Sequence, residues 1–114
     1  MSDNYDTNKL IKLLISQTKV LQKNVERTLN DTATPPHSRY VSFKSYAAMY
    51  NNIAREAERV LGLPQNSFSV FYTNRMGGYA DTLWGEQKQI VEQVSLHTGY
   101  LLTYLESATD FVED

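Results

Sequence analysis

Few residues in this chain have the type and spacing to do chemistry. The most suggestive run is NRMGGYADTLWGEQ, Asn74 to Gln87, in which an arginine and two adjacent glycines open onto a helical pattern. A glycine turn at a helix N-terminus presents backbone N–H groups that hold anions. A phosphate cradle also draws on a lysine or hydroxyl, and no lysine follows the glycines until Lys88. Asp81 is placed to cap the next helix, where its carboxylate would take the amides an anion needs. The run therefore reads as a turn: the glycines release the chain, Asp81 or Thr82 starts a helix, and Trp84 anchors its first turn. Arg75 keeps no structural duty and stands, with Tyr72 and Tyr79, as a candidate partner contact.

Catalytic sets are incomplete. His97 projects onto an apolar seam between Val94 and Leu101, where a hydrogen-bonded core histidine is expected. His37, in PPHSRY, has no acidic neighbour to orient it. HxxxH, HExxH, GxSxG and the Walker pattern are absent, as is the Arg-x4–6-His spacing of helical ribonuclease-type domains. Glu56 and Glu58 are two apart on a helix and so point to different faces. Glu86 and Glu92 lack the ExxH partner of a di-iron site. With no cysteine there is no thiolate chemistry, disulfide or Cys-based zinc site. The expectation is a non-enzymatic chain with no cofactor and no metal.

Charge gives a clearer pattern. Lys9, Lys12, Lys19, Lys23 and Arg27 fall within about 80° of one another on one helix, opposite its apolar face. From Gln89 to Asp114 there are five acidic residues and no basic one, although the net charge is only −2. The stripe reads as a solvated face, as a surface for a partner or for the acidic helix of another copy, or as a polyanion contact with steep salt dependence. Lysine outnumbers arginine on it, and no recognition-helix motif accompanies it.

Three amphipathic helices must position these residues. The first spans about 7–30, with Leu10, Ile11, Leu14, Leu21, Val25 and Leu29 in one arc, Asp6 or Thr7 as cap, and Pro35-Pro36 beyond its end. The second spans about 42–61. Phe43, Tyr46, Ala47, Tyr50, Ile53, Ala54, Ala57, Val60 and Leu61 step by three and four, while Lys44, Asn51, Arg55, Glu58 and Arg59 take the other side. Ser42 is its expected N-cap, and Leu61-Gly62-Leu63-Pro64 a glycine stop. The third spans about 80–107, with Leu83, Gln87, Ile90, Val94, His97, Leu101 and Tyr104 as a heptad-like seam. An acidic tail, 108–114, is expected to fray. The segment 66–76 is expected as a short helical turn or an ordered aromatic loop plugging the bundle's end.

The fold expected is all-α: one domain over 1–114, a small antiparallel three-helix bundle with an irregular fourth element at 66–76. The chain is 41% hydrophobic and 21% charged, an ordinary globular balance. Its eight tyrosines suit half-buried positions and contact surfaces. Three helices this rich in tyrosine leave an apolar stripe to satisfy, and a homodimer that completes a larger bundle would do so. No apolar run approaches the roughly 20 residues of a membrane span, and the polar start MSDNYDTNK lacks a signal peptide's pattern. A cytoplasmic protein without a membrane is the expectation.

The order of helix, proline loop, helix ending in LGLP and long helix resembles small helical modules beside effector domains in bacterial defence and regulatory proteins. That resemblance carries over no site residue. The reading is a non-enzymatic α-helical protein–protein interaction domain or small subunit, with self-association among its modes. The alternative is nucleic-acid or polyanion binding through the basic stripe.

Overall fold

A computed structural model describes the backbone of residues 2–78 and 80–112, and the side chains of 6–78 and 80–109. Three long helices, α1 (Ser2–Leu29), α3 (Phe43–Leu61) and α4 (Trp84–Val112), form a three-helix bundle; α2 (Pro36–Arg39) is a single turn and Thr73–Arg75 a 3₁₀ turn. No strand occurs among the described residues.

Each long helix buries one stripe stepping by threes and fours, the spacing of knobs-into-holes packing. On α1 it is Ile11, Leu14, Thr18, Leu21 and Val25; on α3 it is Phe43, Ala47, Tyr50, Ala54 and Ala57. On α4 the stripe is Gln87, Val91, Val94, Thr98, Leu101 and Leu105. This corrects the expected seam: Gln87, Val94 and Leu101 hold, but Val91, Thr98 and Leu105 face the core in place of Ile90, His97 and Tyr104. Leu83 is exposed.

Contacts fix the direction of each helix. Tyr46 bonds Thr28, Gly99 lies beside Gln22, and Glu106 pairs with Lys19, so α1 runs antiparallel to both partners. Tyr40 stacks on Trp84 and Tyr50 meets His97, so α4 runs alongside α3 in the same sense. The connection 62–83 must therefore retrace α3. It runs down the α3–α4 groove rather than plugging the bundle's end: Phe68 meets Tyr104, and Phe71 meets Tyr50 and His97.

The helix ends follow local chemistry, with corrections. Gly62 sits left-handed at φ 69°; its N–H donates to the Arg59 carbonyl and that of Leu63 to Glu58, the paired bonds of the expected glycine stop. Ser42 holds the N-cap of α3 without a side-chain bond. α1 begins at Ser2, so Asp6 and Thr7 lie inside it. α4 begins at Trp84, with the N–H groups of Glu86 and Gln87 on the Leu83 carbonyl, so neither Asp81 nor Thr82 caps it. At its other end α4 extends to Val112, five residues past the expected end at about 107. Pro36 enters helix α2 at its first position, where a missing N–H costs nothing.

Candidate functional site

The polar edge of α3 is occupied. Lys44, Asn51, Arg55 and Glu58, on the side away from the apolar stripe, fasten the returning loop. Lys44 Nζ donates to the Met76 carbonyl (3.3 Å). Asn51 donates to the Phe71 carbonyl (2.6 Å) and accepts from its N–H (2.9 Å). Glu58 is buried and takes four bonds: from Arg55 Nε (3.1 Å) and Nη2 (2.9 Å), and from the N–H groups of Asn66 and Phe68 (3.0 Å each). Arg55 also donates to the carbonyls of Phe68 and Ser69. Asn66 stands at φ 63°, a left-handed position that asparagine tolerates, where the chain turns back. Burial pushes the Glu58 carboxyl up, but the Phe68 N–H, the Arg55 guanidinium and the Asn66 N–H more than offset it and hold the group below its ordinary range. Burial raises the Tyr50 hydroxyl behind this network to about 12; Arg55 lowers it and Glu58 raises it. The signal the sequence did hold was spacing: positions 44, 51, 55 and 58 form a second stripe of bond-making groups, with an acid–base pair at i, i+3 within it.

His97 packs among Tyr50, Phe71 and Tyr100, its ring centroid 5.7–6.3 Å from theirs, with Nδ1 3.2 Å from the Ser69 hydroxyl. It is half-buried under the loop rather than in the helical core. This serine–histidine contact would need a carboxylate to orient the ring, and no carboxylate bonds it among the described residues. These contacts hold the loop to α4. Glu56 and Glu58 diverge as their spacing requires: Glu56 pairs with Arg59 at the surface, Glu58 with Arg55 inside. No cluster of three His, Asp or Glu with metal-binding geometry occurs among the described residues. The glycine run folds on itself. A Cβ at Gly77 would stand 2.8 Å from the Thr82 hydroxyl, and the Asp81 N–H donates to the Gly78 carbonyl. Arg75 lies over the Tyr72 ring, 4.6 Å from its centroid, a cation–π contact that gives it the partner the sequence did not. Tyr79 lies outside the described residues.

The basic stripe is real as geometry. Because α1 is one uninterrupted helix, Lys9, Lys12, Lys19, Lys23 and Arg27 share a face, and all five are exposed. Lys19 meets Glu106 at 3.8 Å. The other four make no ion pair among the described residues.

Beside this stripe lies the feature that sequence reasoning missed. The α3–α4 groove is filled by the loop, but the α1–α3 groove is open. A hollow of about 440 Å³ is lined by Val20, Leu21, Asn24, Met49 and Ile53, and a second of about 240 Å³ by Leu10, Leu13, Glu56 and Val60; Gln17 borders both. Val20 is 60% exposed, Leu13 54%, Met49 45% and Leu10 39%. Leu10 was assigned to the buried arc, and Leu13, Val20 and Met49 to none. No helix among the described residues is long and apolar enough to cross a membrane. No protein family, curated protein or solved structure matches the chain.

Proposed function

We propose that this chain is a non-enzymatic helical interaction module whose working surface is the α1–α3 groove. One observation carries the reading: four large apolar side chains, Leu10, Leu13, Val20 and Met49, stand exposed along the α1–α3 groove, which the loop leaves uncovered. An exposed apolar row with a polar border marks a contact surface. Burying a Val, Leu or Met side chain completely yields about 1.5–3 kcal/mol. Four that are about half exposed would contribute roughly 3–6 kcal/mol, a large share of the roughly 8 kcal/mol of a micromolar complex. The test is capture of partners from the native host by wild type, by Val20→Asp and by Glu92→Lys on the far face of α4. The reading requires a partner lost with Val20→Asp and kept with Glu92→Lys. The self-association mode is tested by light scattering over a wide concentration range, where a strict monomer would remove it.

A second reading rests on the stripe itself. Lys9, Lys12, Lys23 and Arg27, exposed and without ion pairs among the described residues, span about 27 Å of helix, enough to follow a polyanion backbone. A gel shift with DNA or RNA at low salt, lost on charge reversal of Lys12 and Lys23, would support it; no shift would end it.

A further inference from the structure

The groove's shape and charge select its occupant, an inference that rests on the docking reading above. Leu13, Gln17 and Val20 on α1, and Met49, Ile53 and Glu56 on α3, line it in steps of four and three. Two antiparallel helices presenting such rows leave the vacant fourth position of a four-helix bundle. From Leu10 to Asn24 the lining covers about 21 Å, four turns of a partner helix.

The two rims differ. Along α1 stand Lys9, Lys12, Lys23 and Arg27, exposed and unpaired among the described residues. On the α3 rim, Glu56 and Arg59 neutralise each other. We propose that the groove takes an amphipathic helix of a protein partner, with an apolar stripe facing Leu13, Val20 and Met49 and a row of Asp or Glu along the flank nearest α1. The faces a second copy could offer are short of acid: among the described residues the outward row of α4, with Leu96 and Tyr100 exposed, carries Glu92 alone. A nucleic acid would meet the cationic rim but leave the apolar lining in water.

The experiment is fluorescence anisotropy with the full chain and labelled 16-residue helical peptides that share one leucine stripe and carry Glu or Lys along one flank. The Glu-flanked peptide should bind at least about ten-fold tighter than the Lys-flanked one at low salt. That advantage should shrink at high salt, and Lys12→Glu with Lys23→Glu should reverse it. Val20→Asp should weaken the Glu-flanked peptide about ten-fold or more. If both peptides bind equally and both are weakened by Val20→Asp, the charge assignment falls and the docking reading stands. Binding that ignores Val20→Asp overturns the docking reading. A DNA duplex that displaces the Glu-flanked peptide from wild type and from Val20→Asp alike overturns both in favour of the polyanion. If neither peptide binds, the proposed occupant is wrong.

Discussion

Replacing Glu58 by alanine removes the acceptor of four hydrogen bonds at once. Two come from Arg55 and two from the loop N–H groups of Asn66 and Phe68. Breaking a buried ion pair by deleting one partner costs about 3–5 kcal/mol. The Arg55 side chain is 27% exposed and keeps the carbonyls of Phe68 and Ser69, so the lower end applies, about 3 kcal/mol. That is a large part of the roughly 5–15 kcal/mol that holds a domain folded. In urea, with a slope near 1.5 kcal/mol per molar for a chain this small, the midpoint followed by circular dichroism should fall by about 2 M. Amide exchange should localise the loss: Asn66 and Phe68 lose protection before the core of α1 does. A midpoint shift under about 0.5 M, with protection of those two amides unchanged, would refute the claim that Glu58 latches the loop.

The same carboxylate sets an acid dependence. Its folded value lies below its ordinary 4.5, so the unfolded chain takes up the proton first. Its stabilisation is therefore complete above that value and is lost as pH falls through the folded one; thermal melts from pH 7 to 3 should show the fall, less steep in Glu58→Gln. Thr98 is wholly buried, and its hydroxyl has no hydrogen-bond partner among the described residues. Thr98→Val should raise stability by about 1 kcal/mol in urea melts. Gly62→Ala should cost about 1–2 kcal/mol in the same melts; a Cβ there meets nothing within 4 Å, so the cost is that of the left-handed backbone alone.

The bundle and its strongest stop signal were legible because they are local: the stripe of α3 and the Gly62 turn follow from residues a few positions apart. The offset on α4 was not. Its sequence offers two adjacent seams that share Gln87, Val94 and Leu101. Which one meets α1 depends on the loop, whose Phe68 and Phe71 cover the His97 and Tyr104 side. Glu58 was misplaced for a related reason: a charged residue on a polar edge reads as solvated until a loop 8 to 10 residues away supplies its N–H partners. Of the candidate site, the basic stripe needed only helical periodicity. The open groove needed the absence of a neighbour, which one helix's sequence does not encode.

Because α3 and α4 point the same way, the connection must carry the chain back along the nineteen residues of α3, about 28 Å. Extended chain covers that in about nine residues; the connection has 22. Shortened to a four-residue turn, it would force α4 to enter reversed, giving an up-down-up bundle from the same helices in which Glu106 no longer reaches Lys19. Linker length, rather than helix composition, therefore chooses between two topologies here. Deleting most of 64–80 should yield a protein that is still helical but wired differently.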